Sequence, residues 1–174
     1  MKYFLFLIMT LAVCGSLLWG QSNWVAPRDG EYDYEQLQVD FDLELRRSTY
    51  YLNGQRFTGT ARENTQDGRM YILHIVRDGW LERQLGYYAN GVKCRDFHFS
   101  NGLEHGLLEL YFPDGTLYTS ESYQHGQLHG KLRRWKNGQL LREADFWYGT
   151  IISEKWYDVT GEERQTPPPG ANGC

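Results

Sequence analysis

Gly86-Tyr-Tyr-Ala-Asn-Gly91, Tyr111-Phe-Pro-Asp-Gly115, Trp135-Lys-Asn-Gly138 and Trp156-Tyr-Asp-Val-Thr-Gly161 are four versions of one turn, with aromatic residues leading into a polar residue and a glycine. The turn glycines are 24, 23 and 23 residues apart (91 to 115, 115 to 138, 138 to 161), and a second glycine follows at offset 11 each time, at Gly102, Gly126 and Gly149. Self-similarity at such a period marks a repeat architecture. Asn-Gly supplies positive φ at low cost, so these glycines read as hairpin turns. Two strands and two turns per repeat then give an antiparallel meander.

Columns counted from the turn glycine refine this reading. Offset 8 holds Phe99, Tyr123 and Phe146, and offset 2 holds Lys93, Leu117 and Leu140. On the opposite face by simple alternation, offset 3 holds Cys94, Tyr118 and Leu141, and offset 7 holds His98, Ser122 and Asp145. Both faces therefore mix apolar and polar residues, whereas a sandwich needs one consistently apolar face. The expected fold is all-β: an elongated antiparallel β-meander of hairpin repeats, each about 23 residues, in a largely single-layer sheet. Equivalent residues lie two strands apart, roughly 9–10 Å, and aromatic columns stabilise the sheet by same-face contact.

Upstream, Tyr50-Tyr-Leu-Asn-Gly54 carries the same turn signature, but Gly54 to Gly91 spans 37 residues. The surplus is assigned to a polar turn at Glu63–Arg69. Met70–Val76 and Trp80–Leu85 read as strands around a turn at Arg77-Asp-Gly79, and Gly79 to Gly102 restores the spacing of 23. Before these, Leu37, Val39, Phe41, Leu43 and Leu45 alternate with polar residues, which predicts a strand over 37–45. Its Asp40, Asp42 and Glu44 read as the solvated face of an edge strand. This strand and the 151–161 hairpin are the expected caps of the array.

Residues 1–20 read as a leader: Met1-Lys2, then an uncharged apolar run from Tyr3 to Gly20. Cleavage after Gly15 or Gly20, lipidation at Cys14 of Leu11-Ala-Val-Cys14, and a retained membrane helix are the three routes. Val13 departs from the small residue usual in a lipobox. With Lys2 inside, each route places the rest of the chain outside the cytoplasm, periplasmic, envelope-associated or secreted. Residues 21–35 read as a linker, 36–163 as the repeat domain, and 164–174, with Pro167-Pro-Pro, as a flexible tail. A net charge of −4 argues against nucleic acid as a partner.

The Tyr-Tyr-x-Asn-Gly motif, the glycine eleven residues on and Gln127-Leu-His-Gly130 resemble MORN repeats, and more closely the bacterial MORN-variant family labelled YwqK-like antitoxins. The resemblance covers about Thr49 to Gly161. It implies a β-meander and binding of other proteins, by its label a toxin. Related MORN repeats elsewhere are associated with membrane contact and scaffolding.

The residues carry little sign of catalysis. His105 and His129 share a column with His125 nearby, but the column continues with Ile152 and no carboxylate or cysteine stands at a matching offset, so no metal site is assigned. No nucleotide, zinc or nucleophile motif is present, and no cofactor is expected. Cys94 and Cys174 are a candidate disulfide in an oxidising compartment; otherwise Cys94 fills an apolar column. The aromatic residues Tyr88, Phe112, Trp135, Trp147 and Trp156 are the candidate binding surface, since Tyr and Trp bury large area at low entropic cost. They serve the sheet itself in the alternative reading. The expected function is a non-catalytic exported scaffold that binds an unidentified protein in the cell envelope. A membrane-surface or glycan-binding module and an antitoxin or immunity protein are the alternatives, with membrane association through the N-terminus.

Overall fold

A computed structural model of the chain describes residues 31–65 and 70–166. The leader, Cys14, most of the linker, part of the 63–69 turn, Pro167-Pro-Pro and Cys174 lie outside the described residues. The described chain is an all-β meander of fourteen strands in one sheet, antiparallel except where its first strand joins. The strands are β1 (Glu31–Asp33), β2 (Gln38–Asp42), β3 (Arg47–Leu52), β4 (Gln55–Arg56), β5 (Gly59–Asn64), β6 (Met70–Arg77), β7 (Trp80–Tyr88), β8 (Lys93–Ser100), β9 (Leu103–Tyr111), β10 (Leu117–Gln124), β11 (Gln127–Lys136), β12 (Gln139–Trp147), β13 (Thr150–Tyr157) and β14 (Glu163–Arg164). From β5 to β14 each strand pairs with its neighbours in the chain. β1 adds parallel to β5, so the last residues of the expected linker enter the sheet, tied by Arg62 Nε to Glu31 at 2.7 Å.

Two kinds of turn occur. Asn137-Gly138 is a two-residue loop between paired Lys136 and Gln139, with φ of 52° and 76° at its two residues. The twist of such a type I′ turn matches that of the strands it joins, and Asn and Gly tolerate its positive φ. The turns at Gly91, Gly115 and Gly161 are one residue longer. There Tyr88, Phe112 and Asp158 donate N–H bonds to Val92, Thr116 and Glu162 at 2.8–2.9 Å, enclosing three residues. In each, only the final glycine has positive φ, the geometry of a type I turn closed by a left-handed residue. The shortened turn at Gly138 accounts for the drop from 24 to 23 between Gly115 and Gly138.

A bulge follows each of the three internal turns. Gly86 pairs Arg95 and Tyr87 pairs Lys93, so Cys94 is skipped. Tyr118 is skipped between Leu117 and Thr119 opposite Tyr111 and Leu110. Leu141 is skipped between Leu140 and Arg142 opposite Trp135 and Arg134. Because one residue leaves the ladder at offset 3, alternation counted from the glycine breaks there. Offset 2 belongs with offset 7, and offset 3 with offset 8, the reverse of the expected grouping. With that correction the apolar residues of β8–β12 gather on one face, which also carries Glu63, Arg95, Glu121, Arg134, Arg142 and Glu154, since cross-strand partners share a side. One face carries Ile72, Phe97, Leu108, Leu110, Leu132 and Ala144. The other carries Asp96, Glu109, Ser120, Arg133, Glu143 and Lys155.

The polar face is an ion-pair ladder. Asp96 accepts from Arg83 Nη2 at 2.7 Å and Lys93 Nζ at 2.8 Å. Glu143 accepts from Arg133 Nε at 2.7 Å, Asp145 from Lys131 Nζ at 2.9 Å, and Glu163 from Lys155 Nζ at 2.8 Å. Among the described residues the apolar face is covered only at one end. There β2–β4 fold across it as a flap, and Leu37, Tyr50 and Phe57 pack on Ala61, Val76 and Leu81. Burying each large side chain there is worth about 1.5–3 kcal/mol. The flap is pinned by three N–H bonds, Tyr50 to Gly79 O, Phe57 to Tyr50 O and Gly79 to Phe57 O, at 2.8–2.9 Å. A second buried cluster, Leu132, Ala144 and Phe146 with Leu128, lies on the same face without a covering layer among the described residues.

The strand expected over 37–45 ends at Asp42. The Asp42 carboxylate accepts from the N–H groups of Glu44 and Leu45, which turns the chain and leaves Leu43 82% and Leu45 50% exposed. The segment caps the array by covering a face and not by extending its edge.

Two pH responses follow. Arg83, helped by Lys93, holds the buried Asp96 carboxyl at about 2 against 3.8 unperturbed. Its contribution is present above pH 3.8 and lost as pH falls toward 2. It is worth up to about 2 kcal/mol, less the screening at its half-exposed partners. Asp96→Asn should lower stability by roughly that amount at neutral pH in urea denaturation. Burial also lowers the pKa of His74, which is stacked on Tyr34 at 4.4 Å and bonded to Glu63 at 2.9 Å. A base whose folded pKa is depressed favours folding above its unfolded value, about 6.5, and this support declines as pH falls below it. The thermal midpoint should drop between pH 7 and 5, and His74→Gln should flatten that drop.

Candidate binding site on the uncovered apolar face

Beyond the flap, the same face forms a pocket of about 340 Å³ lined by Ile72, Tyr88, Cys94, Arg95, Leu110, Tyr111, Phe112 and Tyr118. The bulges build it: each turns its skipped residue, Cys94 or Tyr118, onto this side. The three-residue turns complete it by bringing in Tyr88 and Phe112. Tyr88 donates its hydroxyl to Tyr111 O at 2.8 Å, and Asn90 donates Nδ2 to Pro113 O at 3.2 Å, so consecutive turns are locked together. Phe112 and Tyr118 meet edge to face at 5.1 Å between centroids.

Arg95 lies across Gly86. A Cβ on that glycine would come within 2.6 Å of Arg95 Cγ and 2.9 Å of Cys94 Sγ. Its guanidinium is 5.6 Å from the Phe97 ring centroid, and burial lowers its pKa. Among the described residues no carboxylate forms an ion pair with it. Arg134 stands in the same transverse row, through Leu110 and Thr119, with its guanidinium 5.7 Å from the Tyr118 ring. Its Nε is buried without a hydrogen-bond partner. Burial pushes the Cys94 thiol up, which makes it a poor nucleophile. The arrangement suits binding of an apolar group that carries negative charge.

The five aromatic residues singled out in the sequence are not one surface. Tyr88 and Phe112 line the pocket. Trp135 stands three residues before its glycine as they do, yet it pairs Leu140 just as Tyr87 pairs Lys93 and Tyr111 pairs Leu117. The shorter turn moves it one position along, onto the polar face. Trp147 flanks a turn at the opposite ends of the strands, 59% exposed and packed with Tyr148 on His129 at 4.5 Å. Trp156 is buried, 9% exposed, with Arg142 over its ring at 5.2 Å. His105 and His125 rings are 5.6 Å apart, and no group of three metal-binding side chains occurs among the described residues. Arg95 and Arg134 escaped sequence reasoning. Their only signal was the offset-3 break in alternation, visible once turn length is known.

Comparison with protein-family models and with curated proteins gives no match for this chain.

The tight seat of Arg95 on Gly86 is open to test. Gly86→Ala should destabilise the fold by about 1–3 kcal/mol through overpacking. Adding Arg95→Ala removes the clashing Cγ and should recover part of that loss in a double-mutant cycle by urea denaturation.

Proposed function

We propose that this chain is an exported, non-catalytic repeat scaffold of the MORN-variant type that binds another protein in the cell envelope through the uncovered end of its apolar face. The observation that carries the reading is the contrast between the two faces. On one, acids and bases are matched into a ladder that serves the sheet. On the other, aromatic side chains frame a pocket beside an arginine with no ion-pair partner among the described residues. An open apolar pocket with a few convergent polar groups is a common form of recognition site. The repeat period and turn motif support the family assignment, and the leader supports export.

The test is capture from an envelope extract with the immobilised chain. Wild type should recover one partner reproducibly, and Phe112→Ala should reduce recovery severalfold while Trp135→Ala, on the other face, leaves it nearly unchanged. Equal recovery by the Phe112 variant would remove this face from the function. Liposome flotation and glycan arrays run in parallel; strong binding there, with no protein captured, would replace the proposal by a membrane- or glycan-surface role.

A further inference from the structure

We infer that the uncovered apolar face holds an extended acidic segment of the protein partner, with one carboxylate on Arg95, a second on Arg134 and an apolar side chain between them against Leu110, Phe112 and Tyr118, one wall of the pocket. This rests on the reading of that face as a protein-binding surface. Among the described residues no carboxylate near this row forms an ion pair with Arg95 or Arg134, and Glu63 acts on Arg95 only at longer range. Glu63 is bonded to His74 at 2.9 Å, Glu121 accepts from the Tyr123 hydroxyl at 3.1 Å, and Glu154 pairs with Arg142 Nη2 at 2.6 Å. Arg142 is thereby used as well. Arg95 and Arg134 are left, partly desolvated, without an ion pair among the described residues, and with one Nε of Arg134 buried and unbonded. Burying part of a guanidinium without a counter-charge costs free energy that an incoming carboxylate would offset.

The spacing argument is geometric. Arg95 on β8 and Arg134 on β11 share one transverse row three strands apart. At about 4.8 Å per strand that is about 14 Å. An extended peptide advances about 3.4 Å per residue, so residues i and i+4 span the same distance and point to the same side. Residue i+2 then also points down, over Leu110 and Thr119 where Tyr118 and Phe112 bound the pocket. The matching segment reads acid–x–apolar–x–acid. Two charges at fixed spacing on a largely apolar face suit such a segment better than a nucleic acid, whose binding draws on many phosphate contacts.

The test titrates the full-length chain with the peptide Gly-Ser-Glu-Ser-Phe-Ser-Glu-Ser-Gly by calorimetry at low salt, beside a copy with both glutamates as glutamine. The glutamate peptide should bind at least about tenfold more tightly. Arg95→Gln and Arg134→Gln should each weaken it about tenfold, and Arg95→Lys should lie between. Far-UV circular dichroism and thermal midpoints establish that the variants are folded. Equal binding of both peptides, no binding of either to the folded chain, or variants that bind like wild type would overturn the inference. So would self-association abolished by Arg95→Gln, which would give the face to a second copy. Tighter binding of phosphatidylglycerol vesicles through the same arginines would give it to an anionic surface. Loss of partner capture in Phe112→Ala, together with no peptide binding, would leave the protein-binding face standing and reject only its acidic ligand.

Discussion

One residue leaves the ladder three positions after each internal turn glycine, and that bulge determines which side chains share a face. Without it, Arg95, Thr119 and Arg142 would stand on the ionic side and the aromatic columns would be split between the two surfaces. With it, the positions at offsets 4, 6 and 8 fall together on one side, while those at 2, 5 and 7 fall on the other. A bulge also bends its strand and strengthens local twist, which helps neighbours on one face cover each other. Ala144 and Leu132 are nearly inaccessible although no second layer of the described residues lies over them.

The separation of faces gives each a different burden. Ion pairs on the polar side are partly exposed, so singly they contribute modestly, with Asp96 the exception because its carboxylate is buried and receives two cations. The apolar side supplies most of the hydrophobic stabilisation, concentrated where the flap closes over β5–β7. That concentration leaves β8–β11 with aromatic walls, a pocket and two arginines outside the flap. The same crossing of turn and bulge that shapes the sheet therefore positions the candidate site.

Much of the architecture was legible in the sequence because turn chemistry is local. Asn-Gly, Asp-Gly and the glycine eleven residues on located the strands of the three strict repeats, and Gly79 to Gly102 recovered the register after the irregular first unit. What escaped is what depends on counting across a turn. Asn90-Gly91 and Asn137-Gly138 look identical as dipeptides, but one closes a three-residue loop and the other a two-residue loop. Trp135 was therefore aligned with Tyr88 and Phe112 when its partner is Leu140 and its equivalents are Tyr87 and Tyr111. The Leu37–Leu45 alternation failed for a different reason. Asp42 can bond the two N–H groups ahead of it, and that local turn outcompetes strand extension into solvent. The pocket was invisible because Arg95 reads as an ordinary strand arginine until Gly86 is seen beneath it.

The account stands most directly on the register of β11 against β12, and cross-strand NMR contacts between backbone protons of residues 133–142 measure it. The account predicts Arg134 opposite Arg142 and Trp135 opposite Leu140, with Leu141 lacking a partner in the ladder. Continuous pairing that places Arg134 opposite Leu141 would contradict it, because every β12 side chain beyond that point would change faces and Ala144 and Phe146 would leave the face of Leu132.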